Sequence, residues 1–143
     1  MVAMTIGFAF LDDWDSQERN RPVPTDPVAV ETVVREIAQR RSADLFILVG
    51  SDDVGSAPQW LSVSASRGRY ALTAQLAEGG PWLQLVGDAE AAGEAEFAHG
   101  GQTATWPRRF FVDAEQAVAA ARYFVLTAEL LDPPRWWDFE RTS

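Results

Sequence analysis

The spacing of hydrophobic positions changes along the chain, and each change predicts a different element. Thr5 to Phe10 is a short apolar run, which predicts a first strand. A polar, proline-bearing stretch from Leu11 to Thr25 predicts a surface loop. Asp26 and Pro27 then have the residue types of a helix cap and a first helical position. The buried stripe of this first helix is predicted at Val30, Val33, Val34 and Ile37.

The middle of the chain changes to strand spacing. Short apolar or alternating runs are separated by turn residues such as SRGR and AEGG, which predicts strands joined by tight turns. In QWLSVSAS, for example, Trp60, Ser62 and Ser64 fall on one side of the strand. The predicted strands are DLFILVG, QWLSVSAS, RYALTAQL, PWLQLVG, GEAEFAH and the short extended ATWPRRFFV.

A second helix is predicted from Asp113 to about Leu131. Asp113 and Gln116 have capping-box spacing, and Pro133 with Pro134 ends the helix before a last strand, RWWDFE. Because sequential strands with glycine turns form hairpins, the pattern predicts an α+β fold with a mostly antiparallel sheet of about six to eight strands. Two helices pack on one face of that sheet, and residues 1–143 form a single domain.

The last strand places its two adjacent tryptophans on opposite faces. Trp137 shares its face with Phe139, so this more apolar face is predicted to point at the helices. Trp136 is then predicted on the far face among acids, where Trp60 and Trp82 accompany Ser and Gln side chains. The far face would carry aromatic rings in a polar, acidic surround, which is how many binding surfaces are built.

Composition restricts the possible partners. The formal net charge is −9, and all basic residues are arginines because the chain contains no lysine. An acidic protein repels nucleic-acid phosphate, so the charge favours a basic protein partner or serves solubility. The absence of cysteine removes disulfides and thiolate chemistry. Without a signal peptide or a membrane-spanning run, a cytoplasmic location is expected.

The usual signatures of catalysis are missing from the chain. His99 is the single histidine and lies beside two glycines, which is typical of a turn. There is no GxSxG elbow and no phosphate-binding loop. The paired acids Asp52 with Asp53, and Glu94 with Glu96, fit solvated carboxylates better than a metal or acid–base site. We therefore expect no catalytic residue, no cofactor and no metal.

The segment LDDWD stands out because Trp14 is surrounded by Asp12, Asp13 and Asp15. A tryptophan in an acidic loop has little reason to be there for packing alone. We therefore predict that a partner contacts this loop. The complete predicted contact set is Asp12, Asp13, Trp14, Asp15, Asp52, Asp53, Glu94, Glu96 and, as a weaker candidate, Trp136.

The order of motifs from Leu45 to Phe139 resembles a known family. PQWLSVS precedes SRGRYAL, a strand opens with tryptophan in PWLQLVG, and a glycine-bounded hairpin follows. Then Thr103 or Thr105 with Trp106 and Pro107 precedes the capped helix. Proline and a tryptophan-bearing strand end the chain, as in the first-numbered family of polymorphic-toxin immunity proteins. This ordered similarity covers about two thirds of the chain.

The resemblance implies a non-enzymatic protein of the actinobacterial type that binds and neutralises a cognate toxin. Many members are encoded beside nucleic-acid deaminases, so the implied partner is a basic toxin, with no nucleic acid or membrane bound. The free protein is expected as a monomer or weak dimer. Two alternatives stay open: a small-molecule enzyme or carrier with a pocket lined by Tyr70, Trp82 and Phe97, and a scaffold that assembles through a sheet edge.

Overall fold

A computed structural model describes residues 6–50 and 59–138 of the protein. The strands in these ranges are Ile6–Asp13 (β1), Glu18–Pro22 (β2), Ala43–Val49 (β3), Gln59–Ser66 (β4), Arg69–Gln75 (β5), Leu83–Leu85 (β6), Glu94–His99 (β7), Gln102–Pro107 (β8) and Trp136–Asp138 (β9). The helices are Pro27–Glu36 (α1) and Ala114–Thr127 (α2). Two single 3₁₀ turns occupy Arg108–Phe110 and Pro133–Arg135.

The described strands form a seven-stranded sheet in the order β2-β1-β3-β4-β5-β6-β9 and a separate hairpin of β7 and β8. Every strand pair in both sheets is antiparallel. With two helices beside this sheet, the predicted α+β fold is confirmed. The β4–β5 turn, Arg67–Gly68, has positive φ at both residues, which is the conformation that a two-residue hairpin turn requires.

One face of the large sheet packs against both helices and forms the main core. Alternate residues of β3 and β4, such as Leu45 and Val63, are cross-strand neighbours and are fully buried there. The helices contribute the predicted valine stripe of α1 and the face of α2 that includes Ala117, Ala121 and Phe124. Apolar burial on this face therefore fixes which side of each strand points inward.

The helix boundaries follow from local capping. The Asp26 side chain accepts a hydrogen bond from the Ala29 amide, so the predicted cap of α1 is confirmed. Asp113 and Gln116 form the predicted capping box at the start of α2. This helix ends at Thr127, earlier than predicted, because Ala128 adopts a left-handed conformation. Between the helices, Arg122 forms an ion pair with Glu31, with 2.6 Å between Nη1 and Oε1.

The far face of the sheet is arranged in rows that run across the strands. The first row is mainly apolar, the middle row mixes aromatic and polar side chains, and the third row is mainly polar. The rows are Phe8–Leu48–Trp60–Gln75, then Phe10–Phe46–Ser62–Thr73–Gln84–Trp137, then Asp12–Asp44–Ser64–Ala71. Trp60 therefore does share a far face with Ser62 and Ser64, as the alternation predicts.

The β7–β8 hairpin lies over the polar row of the far face. Its β7 strand contacts β4, and the amide of Ala98 donates to the Ser66 hydroxyl oxygen. On the inner side of the hairpin, the Phe97 ring is buried and lies 5.1 Å from Trp106 and 5.3 Å from Phe111 between ring centroids. The far face of the sheet is thus largely covered rather than open to solvent.

Two predictions about the fold are wrong. The stretch from Leu11 to Thr25 is not all loop, because β1 continues to Asp13 and β2 pairs with it as a hairpin. The faces of the last strand are also exchanged: Trp136 pairs with Leu85, is 5% exposed and faces the helices. Trp137 lies on the far face, where its ring is 5.9 Å from that of Phe110. Both faces are covered at this edge, so relative apolarity could not identify the helix-facing side.

Candidate functional site

The aspartates of the LDDWD segment do not form a free acidic surface. Asp12 and Asp13 lie at the end of β1 and are buried. The Asp12 carboxylate accepts from the Asn20 amide and pairs with Arg19. The Asp13 carboxylate accepts from the amides of the following turn and from the Arg40 guanidinium at 2.9 Å. Both acids therefore bind groups of their own protein, and their burial does not fit the predicted place of this pair on a contact surface.

The pKa of Asp13 shows how strongly this carboxylate is held. Burial opposes its ionisation, but the hydrogen bonds from Arg40 and from the Ser16 and Asp15 amides outweigh it, so the pKa lies below its usual value. Asp15 is exposed, yet its carboxylate accepts from the amides of Arg41 and Ser42. It thereby joins the β1–β2 turn to the segment that leads into β3.

Trp14 has a structural reason for its position, contrary to the expectation from sequence. Its indole nitrogen donates to Asp44 Oδ2 at 2.9 Å, and the Arg19 guanidinium lies 3.9 Å from the ring centroid. The ring also packs against Gly101, where an added Cβ would lie 2.8 Å from the indole. Trp14 is thus half-buried between its own hairpin and the tip of the β7–β8 hairpin.

A buried carboxylate that the sequence did not single out holds these pieces together. Asp44 is 1% exposed and lies on the far face in the polar row. Its Oδ2 accepts from Trp14 and from the Gly100 amide at 3.0 Å. Its Oδ1 accepts from the Ser64 hydroxyl at 2.6 Å and lies 3.3 Å from His99 Nδ1. We call Trp14, Asp44, Ser64, His99 and Gly100 the Asp44 cluster.

The two titratable groups of the Asp44 cluster stabilise each other's charge. The hydrogen bond to Asp44 raises the pKa of His99 although burial opposes it. Burial would raise the pKa of Asp44, but the hydrogen bonds from His99, Ser64 and Trp14 lower it below its usual value. A negatively charged Asp44 facing a protonated His99 is therefore the favoured state at mildly acidic pH.

The serine, histidine and aspartate of this cluster do not have the geometry of a nucleophilic triad. In such a triad the histidine lies between the other two, with one ring nitrogen for each. Here Ser64 Oγ is 2.8 Å from His99 Nδ1, and Asp44 approaches the same nitrogen. Ser64 is also 2% exposed and already donates to Asp44, so its oxygen cannot reach a substrate. The arrangement anchors a hairpin.

A signal for this cluster was present in the sequence. Ser62 and Ser64 alternate with apolar residues in β4, and Asp44 opens an apolar strand. Polar residues at period two on a covered sheet face require partners, because a buried unpaired polar group is costly. Sequence alone could not say that two of these partners are His99 and Trp14, which lie 55 and 30 positions from Asp44 in the chain.

The outer face of the β7–β8 hairpin presents the predicted strand acids. Glu94 and Glu96 are exposed, next to Thr105 on the neighbouring strand. None of the ion pairs among residues 6–50 and 59–138 involves either glutamate. The two carboxylates are therefore available to cationic groups of another molecule, unlike Asp12 and Asp13.

Aromatic side chains gather at the other end of the far face. Trp60 is buried, and Trp82 stands edge-on to it with ring centroids 5.5 Å apart. Trp82 is 55% exposed, the highest exposure of any tryptophan that the structure describes. Phe10 stacks on Phe46 with centroids 5.1 Å apart. At this end of the far face, the Trp82 indole is exposed and the aromatic ring beside it, Trp60, is buried.

Comparison with known proteins assigns the chain to a protein family. The family model described as immunity protein Imm1 matches residues 9–137, which is nearly the whole chain. The chain belongs to the Imm1 immunity protein family. No curated protein matches it. The family resemblance seen in the sequence is thereby confirmed.

The remaining predicted contact residues of this Imm1 member differ in where they lie. Trp136 is a core residue whose indole donates to the Leu131 carbonyl, so its ring is not offered to a partner. Asp52 and Asp53 lie outside the described residues. The exposed members of the predicted set within the described ranges are Asp15, Glu94 and Glu96.

The pocket that the sequence offered for a small-molecule enzyme or carrier does not form in this Imm1 protein. Tyr70 lies in the helix-side core, and its hydroxyl donates to the Val34 carbonyl at 2.5 Å. Phe97 is buried under the hairpin on the opposite side of the sheet, and Trp82 is exposed. These three side chains do not line a common cavity.

The described residues were also compared with the requirements of a metal site and of a membrane-spanning helix. No three acidic or histidine side chains in the described ranges are grouped in a way that could hold a metal ion. Neither of the helices in these ranges is long and apolar enough to cross a membrane.

Proposed function

We propose that this Imm1 protein neutralises a cognate polymorphic toxin by binding it and covering its active site or substrate cleft. The family match over residues 9–137 carries the proposal. The toxin is a nucleic-acid deaminase that acts in the cytoplasm, where the immunity protein also resides. The immunity protein acts by binding alone and transforms no substrate.

Charge supports this mode of action. An enzyme that grips nucleic acid needs a cationic cleft, because the phosphate backbone dominates its affinity. This chain carries a net charge of −9, so it is attracted to such a cleft at long range. Glu94 and Glu96 are the described acids of the predicted set best placed for direct contact, because they are exposed and form no ion pair with another described residue. Asp15, Asp52 and Asp53 complete the proposed acidic contacts.

Co-expression with the product of the adjacent upstream gene tests the proposal. We expect that product to be toxic alone, to lose its toxicity when this chain is present, and to purify with it as a one-to-one complex. The matched control replaces this chain with an immunity protein of another family. Persistent toxicity in cells that contain the folded chain would show that the product is not its toxin.

The chemistry of the toxin needs a separate readout. Cells that express the toxin alone should accumulate deaminated bases in their nucleic acid, which sequencing detects as base transitions. If this chain rescues the cells but the toxin expressed alone causes no such transitions, the immunity function stands and the toxin is not a deaminase.

A further inference from the structure

The described strands leave edges with unpaired main-chain groups, and proteins usually protect such edges against pairing with other chains. The large sheet ends at β2 and β9, and the hairpin has one edge on β7 and one on β8. The β7 edge is used internally, because the Ala98 amide donates to Ser66 Oγ. The remaining three edges can be compared directly.

Two of these edges are protected. On β2, the register with β1 is irregular, Asn20 has a positive φ of 56°, and the strand carries two arginines and ends in Pro22. Such a bulged, charged strand pairs poorly with a further strand. Within the described residues, β9 contributes three residues to its edge and follows Pro133 and Pro134. The three described residues offer little to an incoming chain.

The β8 edge shares only a terminal proline with β2 and lacks the irregular register, the charged residues and the short length of the other two edges. Gln102–Pro107 pairs with β7 in continuous register over six residue pairs and contains no charged residue. Its residues from Gln102 to Thr105 are all exposed. Proline appears only at the end of the strand, in Pro107. A regular, uncharged and exposed edge is the type to which another strand can be added.

The turn geometry identifies which groups of β8 point outward. The two-residue turn Gly100–Gly101 has φ values of 60° and 81°, so His99 and Gln102 form the first hydrogen-bonded pair. Hydrogen-bonded pairs then alternate along the ladder, and the Arg108 amide bond to the Gly93 carbonyl agrees with this alternation. The amides and carbonyls of Thr103 and Thr105 therefore point away from β7, toward solvent.

We propose that the toxin adds one of its own strands to the β8 edge, pairing with Thr103 and Thr105. This proposal rests on the function proposed above. The outer face beside this edge carries Glu96 directly across from Thr105, with Glu94 two residues along β7. An incoming strand would lie two strand spacings, about 10 Å, from β7, which extended arginine and glutamate side chains together can span. Charge complementarity therefore selects a toxin strand that bears arginine or lysine on this face.

Amide hydrogen exchange of the isotopically labelled chain tests the pairing without any mutation. The probe is the purified complex with the upstream gene product. We expect the Thr103 and Thr105 amides to exchange at least about tenfold more slowly in the complex, because they become hydrogen-bonded. The Ala104 and Trp106 amides serve as internal references, since they are already directed at β7. Unchanged exchange at both threonines in a formed complex would overturn the proposal.

Proline substitution tests the same pairing by removing one of the main-chain amides that the toxin strand would bind. Thr105→Pro removes one outward amide and adds bulk to the edge, while Thr105→Val keeps the amide and suits a strand. We expect the proline variant to bind the toxin about tenfold or more weakly, and the valine variant within about threefold of the parent. Thermal unfolding followed by circular dichroism verifies that each variant is folded. If Thr105→Pro does not fold, the exchange experiment alone decides.

The outcomes separate this proposal from the function on which it rests. If the parent chain neither rescues cells nor forms a complex, the proposed function is wrong. If the parent and folded Thr105→Pro bind the toxin equally well, only the edge assignment is wrong. A homodimer that Thr105→Pro disrupts, combined with unchanged toxin binding, would assign the edge to a second copy of this chain and equally overturn the proposal.

Discussion

At the scale of single residues, the carboxylates show how side chains of the same chemical type acquire different functions. Asp12, Asp13 and Asp44 are buried and hydrogen-bonded, whereas Glu94 and Glu96 are exposed without an internal cation among the described residues. All five count equally toward the net charge, but only the exposed pair is free to act on another molecule. A cluster of acids in a sequence is therefore a weak indication of an acidic surface.

Replacing Asp44 with asparagine should destabilise the fold. The substitution removes the charge and brings an amide group to a site where Trp14, Gly100 and Ser64 all donate. Hydrogen bonds to a buried charged carboxylate become hydrogen bonds to a neutral amide, so the free energy of unfolding should fall by about 2–3 kcal/mol. Urea denaturation measures the change. Glu96→Gln is the matched control, because it removes one exposed carboxylate and should stay within about 0.5 kcal/mol of the parent.

The Asp44 cluster also predicts how stability depends on pH. The pKa of His99 is raised in the folded state, so its stabilising contribution is complete below its ordinary pKa of about 6.5 and disappears as pH rises through the folded pKa. The pKa of Asp44 is lowered, so its contribution is present above about 3.8 and is lost as pH falls through the folded pKa. Both contributions are complete between about pH 4 and 6.5.

A His99→Gln variant isolates the histidine contribution. The difference in unfolding free energy between parent and variant should be larger at about pH 5.5 than at about pH 9. The change should stay below about 1 kcal/mol, because 41% of the imidazole is exposed and solvent screens the pair. Denaturant titrations of both proteins at the two pH values provide the measurement. A difference that grew with pH would contradict the assigned direction of the pKa shift.

At the scale of elements, local signals determined the helices and the hairpin turns. The caps of α1 and α2 and the Arg67–Gly68 turn are decided by residues within a few positions, so the sequence predicted them. The faces of β9 were not predictable, because they depend on pairing with β6 and on what covers each side. The β1–β2 hairpin was missed because polar and charged residues dominate β2.

The backbone at Gly87 lies directly against the backbone of Arg109 to Phe111, so we predict that a side chain at position 87 destabilises the fold. The Gly87 amide donates to the Arg109 carbonyl, and a Cβ on this residue would lie 2.0 Å from the Phe111 carbonyl oxygen. Because the obstacle is backbone, Gly87→Ala must displace the segment that lies over the far face. We expect a loss of about 3 kcal/mol or more in unfolding free energy, measured by urea denaturation.

Gly79→Ala is the control for this substitution. Gly79 has a positive φ of 71° but no atom within 4 Å of an added Cβ. It should lose only about 1 kcal/mol, the cost of placing alanine in a left-handed conformation. If both variants lost the same free energy of unfolding, the backbone at Phe111 would be shown to move at little cost.

At the scale of the whole molecule, the positions of the charged side chains affect attraction to a cationic partner more than the net charge does. Internal ion pairs neutralise individual acids without changing the net charge, as between Arg40 and Asp13 and between Arg122 and Glu31. Glu94 and Glu96 place two exposed negative charges on the outer face of the β7–β8 hairpin. Attraction to a cationic partner should therefore depend on where a charge is altered.

Reversal of both hairpin acids tests this dependence. Glu94→Lys with Glu96→Lys should lower the association rate with the toxin about tenfold at about 0.05 M salt, and the effect should shrink at higher salt. Stopped-flow or surface-based kinetics measures the rates. The control, Glu78→Lys with Glu129→Lys, makes the same change in net charge at two other exposed acids. Equal effects of the two pairs would assign the attraction to net charge alone.

The sequence by itself determined the α+β class, both helix starts, the tight turns and the family, because these depend on local spacing, capping and motif order. Only the tertiary structure decided which acids are buried, which tryptophan faces the helices and which sheet edge is open. Those properties arise from contacts between residues distant in the chain. A carboxylate such as Asp44 is structural because Trp14, Ser64 and His99 converge on it, and no local pattern encodes that convergence.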